Sequence, residues 1–185
     1  MTKAQLTVLA GPTAVGKGTV VTALTKRYPT LKVSVSATTR DPRPGELNGV
    51  HYYFVSPQDF DAMIERGDML EWALVHGNNK YGTPRGPVDE ALNAGTPVLL
   101  EIDLAGARQV RAKRPDAQFI FLSPPSWEEL ERRLIGRGTE GAEEQARRLA
   151  TARVELDAAS EFDHVVINDD VERAVDELAR LIGLE

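Results

Sequence analysis

The sequence predicts an α/β fold, a parallel sheet with helices on both faces, and three observations point to it. Short apolar runs at 6–10, 98–102, 119–122 and 165–167 are each followed by a helical stretch, at 18–27, 105–113, 126–135 and 171–182. Continuous apolar runs alternating with helices are the pattern of strands buried on both faces. The first run ends in a glycine-rich turn that opens the first helix. Finally, two polar stretches interrupt the rhythm, as an inserted subdomain and a loop would.

Length and charge narrow the class. At 185 residues the chain is about one domain, long enough for a real core. The formal net charge of −6 argues against a whole-surface polyanion binder such as a nucleic-acid coat, while leaving room for a local basic cleft. With no cysteine there are no disulfides, thiolate metal sites or cysteine nucleophiles. No signal-peptide core and no membrane-length apolar stretch is seen, so the expectation is a cytoplasmic protein without a membrane partner.

The strongest motif is Gly11-Pro12-Thr13-Ala14-Val15-Gly16-Lys17-Gly18-Thr19, a G-x-x-x-x-G-K loop between strand and helix. Its glycines let backbone N–H groups turn in around phosphate oxygens, the helix start adds partial positive charge, and Lys17 adds a full one. The residue after Lys17 is Gly18, where many such loops place the hydroxyl that reaches Mg²⁺; Thr19 is shifted by one. The plainer alternative is a glycine turn with a surface lysine.

Glu101 and Asp103 stand two apart at the end of an apolar run, so strand geometry puts both on one side, at the sheet edge where open parallel sheets bind ligands. A carboxylate there can hold Mg²⁺ waters or a substrate donor; equally, Asp103 is a natural helix N-cap.

Residues 34–86 read as the inserted subdomain, with antiparallel strands and a short helix at 57–65. Arg40 and Arg43 flank Asp41-Pro42, and a guanidinium fork suits a phosphate dianion. Tyr52 adds a hydroxyl, and Glu71 is one acid in the apolar run Leu70-Glu71-Trp72. Residues 136–144, polar and flanked by arginine-bearing helices, read as a mobile loop.

The chain resembles the guanylate kinases from end to end. The likeness is carried by the loop from Gly11 to Thr19, by Ser36-Ala-Thr-Thr-Arg-Asp-Pro-Arg-Pro-Gly-Glu46 with Gly49 and Tyr52, and by Leu70-Glu-Trp72 and Tyr81-Gly-Thr83. Ile102-Asp103 with Gly106, Arg133-Leu134, Arg137-Gly-Thr-Glu140, Arg148-Leu149 and Phe162-Asp-His-Val-Val-Ile-Asn-Asp169 complete it. The resemblance implies a P-loop NTPase-type sheet (1–33, 87–125 and 160–185), a GMP-binding subdomain (34–86) and a lid (126–159). It implies transfer of the γ-phosphoryl of ATP to GMP, within purine nucleotide metabolism and GMP recycling, with Mg²⁺ held mostly by phosphates and water near Thr19, Glu101 or Asp103. By the same resemblance Arg40, Arg43, Tyr52 and Tyr81 hold the GMP phosphate, and Ser36, Glu71, Thr83 and Asp103 read guanine. Arg133, Arg137 and Arg148 close over ATP.

Residue chemistry agrees. Guanine presents N1–H and an amino group to a carboxylate, and its O6 accepts from a hydroxyl; Glu71 with Ser36 and Thr83 forms that complement, whereas adenine lacks N1–H. Arg133 and Arg137 are i, i+4, which is one face of a helix that spans both. The departures are Thr13-Ala14 where Ser-Gly is common, Glu101 for an aspartate, and a segment Asn78-Asn-Lys80 one residue longer than is common before Tyr81. A kinase for another phosphorylated acceptor, such as ribose 1,5-bisphosphate, needs no guanine-reading set, and a scaffold module of this fold needs no Lys17.

Overall fold

The computed structural model describes residues 4–136 and 141–185. Five strands, β1 (Leu6–Ala10), β2 (Lys32–Val33), β7 (Val98–Glu101), β8 (Gln118–Ser123) and β9 (His164–Ile167), form a parallel sheet in the order β2-β7-β1-β8-β9. Alternation along the strands divides the core in two. Leu9, Leu99, Ile120 and Leu122 meet helices α1 (Lys17–Arg27) and α7 (Val171–Ile182) on one face. Leu6, Val8, Leu100 and Phe119 meet α3 (Arg85–Asn93) and α4 (Leu104–Lys113) on the other. The central strands β7, β1 and β8, without a solvent face, read as unbroken apolar runs, which is why the sequence shows them so plainly; β9, at the edge, exposes Val165 and Ile167.

The second sheet, β4 (Tyr53–Phe54), β3 (Ala37–Thr38), β6 (Asn79–Pro84) and β5 (Met69–Val75), has the order β4-β3-β6-β5. It closes over α2 (Pro57–Glu65), whose Phe60 packs with Ala37 and Met69. The expected antiparallel subdomain is in fact mixed: β3 and β4 pair in parallel, Ala37 with Tyr53 and Thr38 with Phe54. The long connection across 39–52 supplies the crossover that parallel pairing needs.

The two sheets are joined at Leu70. The β5–β6 register shifts between Met69 and Glu71. Alternation alone sends Met69 into the subdomain and Leu70, fully buried, into the main core with Val88, Leu92 and Val110; the irregularity puts Glu71 on the side of Leu70 instead of that of Met69. The residue left at the seam is Glu71.

Helices α5 (Trp127–Ile135) and α6 (Ala142–Asp157) pack through Leu130, Leu134, Leu149 and Ala152, with the Arg153 guanidinium 4.0 Å from the Trp127 ring centroid. Residues 142–144, read from sequence as loop, are the first turn of α6. The short edge strand β2 and helix α3 are additions to the sequence reading. A two-residue strand is too brief to show a pattern, and α3 begins within a Thr-Pro-Arg-Gly-Pro segment that reads as a turn.

Leu70→Ala is expected to cost about 2–5 kcal/mol in urea denaturation, the range for a buried leucine that leaves a cavity. A loss below about 1 kcal/mol would contradict its place in the main core.

Candidate active site

The phosphate loop is shaped by its neighbours as much as by its glycines. Gly16 is the N-cap of α1 at φ 94, with no side-chain cap, so the first N–H groups of the helix remain available to an anion. A Cβ at Gly16 would lie 2.9 Å from Asn168 Nδ2. That amide donates to Val15 O at 2.8 Å, and Arg133 Nη1 donates to the same oxygen at 3.2 Å. Val15 itself is fully buried and pins the loop to the core. Ala14 adopts φ 69, a left-handed conformation that costs an L-residue about 1–2 kcal/mol. The departure from glycine noted at this position therefore stores backbone strain.

Lys17 Nζ donates to Gly11 O and to Ile102 O, both at 3.3 Å, spanning the loop and the end of β7. Burial lowers its pKa, opposed by Glu101, Glu155 and Asp103. Glu101 is exposed at the strand end, its Oε1 4.0 Å from where a Cβ on Gly18 would sit. Asp103, expected on the same strand face, lies past the strand: it is the N-cap of α4 and accepts from Gly106 N at 2.7 Å. The strand ends at Glu101, so alternation no longer governs Asp103.

Across from the loop, Thr83 and Glu71 are direct partners in the β5–β6 register, and Thr83 Oγ1 donates to Glu71 Oε1 at 2.8 Å. The β5–β6 turn lies at 76–78, where His76 takes φ 53, and from there the pairing runs without interruption from Val75 and Asn79 to Glu71 and Thr83. Burial raises the Glu71 pKa; the Thr83 hydroxyl lowers it, Asp103 raises it further and Lys113 lowers it. A hydroxyl has one hydrogen, so while Thr83 holds Glu71 it does not also donate to a base oxygen. Of the two expected hydroxyl donors, that leaves Ser36, half-buried at the entry to β3.

A third cluster surrounds Arg40. Its Nη1 and Nη2 grip Glu46 Oε1 and Oε2 at 2.8 and 3.0 Å, its Cζ stands 5.2 Å from the Tyr52 ring centroid, and Tyr52 meets Tyr81 edge-on at 5.9 Å. Arg43 N donates to Glu46 Oε1 at 2.7 Å. The Arg40 pair first, and the Arg43 N–H second, lower the Glu46 pKa to about 2; the same pair raises that of Arg40. Thus Arg40, Tyr52 and Tyr81 are gathered, with the exposed Arg43 beside them.

Arg148 of α6 lines a cavity of about 390 Å³ with Thr13, Glu144, Arg147 and Thr151, and stands 3.6 Å from Glu144. Arg133 stands 3.4 Å from Glu129. Helix α5 ends at Ile135, and the fourth expected phosphate-side residue, Arg137, lies outside the described residues. The sequence reading missed Glu46, Asn168 and Glu155 as parts of the site. Asn168 had a signal, a polar residue closing an apolar run; Glu155, on a charged helix, had none. Burial raises the Glu155 pKa against the Thr13 N–H and Lys17, and its Oε1 is buried without a hydrogen-bond partner among the described residues.

A phosphate loop at the edge of a parallel sheet, faced by basic side chains on separate elements, defines a phosphate-loop nucleotide-binding protein of the kinase class. Comparison with known proteins narrows this. A family model described as guanylate kinase matches residues 3–185. A guanylate kinase of Leifsonia xyli subsp. xyli is 62% identical over 177 residues, covering 96% of this chain and 70% of its own length. One from Rhodococcus jostii is 58% identical over 181 residues, 97% of this chain and 87% of its own. The crystal structure of guanylate kinase from Anaplasma phagocytophilum superposes with a TM-score of 0.74 at 31% identity, covering 99% of this chain and 86% of that one. The chain belongs to the guanylate kinase family. Among the described residues no helix is long and apolar enough to cross a membrane.

The raised pKa of Glu71 has a signed consequence for stability. The folded chain binds this proton more tightly than the unfolded chain, so stability falls as pH rises above the ordinary value of 4.5, and the cost is absent in stronger acid. Gln removes the charge, and its carbonyl still accepts from Thr83. Ligand-free Glu71→Gln is therefore expected to melt above wild type at neutral pH, with the gap closing as pH falls toward 4.5. Thermal melts across pH measure this; a gap independent of pH contradicts it.

Proposed function

We propose that this chain transfers the γ-phosphoryl group of ATP to GMP, with the loop holding the donor and the second sheet holding the acceptor. The observation that carries the reading is Glu71. It is a buried carboxylate hydrogen-bonded to Thr83 and placed beside the first turn of α4, at the seam between the two sheets. Such a group is costly unless a ligand supplies donors, and guanine N1–H and N2–H₂ are a matching pair. Ser36 then donates to O6, and Asp103 has an oxygen beside its cap bond for the base amino group.

In this reading the GMP phosphate is held by Arg40, Arg43, Tyr52 and Tyr81. Glu46 fixes the Arg40 fork and cation–π contact with Tyr52 orients it. Lys17 and the loop N–H groups take the β- and γ-phosphates, and Arg133 and Arg148 approach from the α5–α6 side. Arg137 joins them by resemblance alone. The α5–α6 pair acts as a lid over residues 126–159, and closure excludes water from the transferring group. The boundary of the 34–86 subdomain is best drawn before Arg85, where β6 ends and α3 begins.

The acceptor is a phosphate monoester with a second pKa near 6, so it attacks without a general base. Mg²⁺ requires few protein donors when phosphates and water complete its shell. No group of three or more His, Asp or Glu able to hold a metal stands among the described residues, but the Glu101 carboxylate beside Gly18 and the exposed Thr19 hydroxyl are hard oxygen donors suited to its waters. The ion would neutralise charge between the β- and γ-phosphates; alignment remains the work of Lys17 and the arginines.

An ADP-release assay across GMP, AMP, CMP, UMP and ribose 1,5-bisphosphate tests the assignment. GMP is expected to be the strongly preferred acceptor, and Lys17→Ala to lower kcat about 10²–10³-fold in a folded protein, as for loss of a comparable preorganised group. Equal turnover of AMP, or a folded Lys17→Ala enzyme at wild-type rate, rejects it.

A further inference from the structure

Helix α4 meets strand β5 along one stripe. Gly106, Gln109 and Lys113 are spaced i, i+3, i+7 and so share a helix face. Each addresses a different point of the segment that carries Glu71. Lys113 Nζ donates to Met69 O at 2.7 Å. Gln109 takes both backbone groups of Trp72: Trp72 N donates to its Oε1 at 3.0 Å, and its Nε2 donates to Trp72 O at 2.9 Å. Because β5 is the edge of its sheet, this amide stands where the next strand's peptide would be. Glu71 is thereby anchored on both sides, at Met69 and at Trp72.

Gly106 performs a different task. It is buried and helical, and glycine inside a helix costs about 1 kcal/mol against alanine, so no backbone demand accounts for it. A Cβ there would lie 3.1 Å from Glu71 Oε2 and 3.0 Å from Asp103 Oδ1. The missing side chain is the space into which the Glu71 carboxylate fits.

We propose that α4 sets base selectivity through two positioning residues: Gly106, which leaves room for the Glu71 carboxylate, and Gln109, which clamps the adjoining Trp72 peptide. Neither residue need touch the nucleotide. A carboxylate that accepts two hydrogen bonds from one flat base must be held within a few tenths of an ångström, and a misplacement of about 1 Å costs about 10²-fold in rate. The inference rests on Glu71 as the guanine reader.

The experiment compares kcat/KM for GMP with that for AMP in wild type, Gly106→Ala, Gln109→Met, Glu71→Gln, and each of the first two combined with Glu71→Gln. Methionine keeps the length of Gln109 and removes both bonds. Each single change at 106 or 109 is expected to lower the GMP-to-AMP ratio about tenfold, chiefly through KM for GMP, with KM for ATP unchanged. In the Glu71→Gln background Gln109→Met adds no further loss of selectivity, because it acts through that carboxylate, and Gly106→Ala adds only the smaller part that passes through Asp103. A structural role alone would lower kcat or melting temperature with the ratio intact. A ratio held by Gly106→Ala and Gln109→Met but lost by Glu71→Gln overturns this inference and leaves the guanine reader standing, as does a loss that adds fully to that of Glu71→Gln. A ratio unchanged by Glu71→Gln overturns the reader itself, and α4 with it. Should Gly106→Ala not fold, Gln109→Met decides by the same outcomes.

Discussion

A carboxylate held out of water at the seam of two sheets is the constraint around which much of this molecule is arranged. Isolated in a protein interior, an ionised carboxylate is strongly disfavoured and shifts toward its neutral form. Here the direction of the Glu71 pKa shift is upward, with burial as the leading cause. Keeping such a group requires that backbone, partner and void all be specified. The register shift at Leu70 turns Glu71 toward the seam, Thr83 opposite it gives a hydroxyl, and Gly106 gives space. A simple apolar residue at 71 would pack here more cheaply, which is the physical reason to look for a ligand with two donors.

The phosphate side follows a different logic. The chain carries a net charge of −6, yet four basic side chains, Arg40, Arg133, Arg148 and Lys17, stand about the loop and β3. Each is already matched by an internal acid: Arg40 by Glu46, Arg133 by Glu129, Arg148 by Glu144, and Lys17 by the field of Glu101, Glu155 and Asp103. In the proposed reading these acids orient the cations before a nucleotide arrives, and a phosphate then competes with or shares each partner. Preorganised charge of this kind acts without reorganisation at the moment of transfer.

How much of this could be read from the sequence follows from the range of the interactions. Strands β1, β7, β8 and β9 of the parallel sheet and the loop were legible because their signals are local: unbroken apolar runs, and glycines with a lysine at fixed spacing. The boundaries of α7, residues 171–182, matched because Asp170 caps it and Gly183 ends it at φ 84. The parallel pairing of β3 with β4, the N-cap role that removes Asp103 from the strand, and the approach of Glu155 to Thr13 depend on contacts between distant segments. Gly106 lay in plain view within a recognisable motif, with Gln109 three residues beyond it, but their function depends on where β5 passes, and no spacing along the chain records that. Likewise the single hydrogen of Thr83 could be assigned only once its partner was known.

Proton exchange on binding GMP tests the central claim most directly. If the buried Glu71 carboxylate becomes the acceptor for guanine, binding must favour its ionised form and release the proton that burial retains. Calorimetric titration of GMP at a series of pH values from 4.5 upward, in buffers of different ionisation heat, measures the protons exchanged, and the same titration of Glu71→Gln subtracts those of the nucleotide phosphate. The account predicts that wild type releases more protons than Glu71→Gln and that the difference fades as pH rises beyond the Glu71 titration. Equal release by the two proteins, or proton uptake attributable to Glu71, would contradict it.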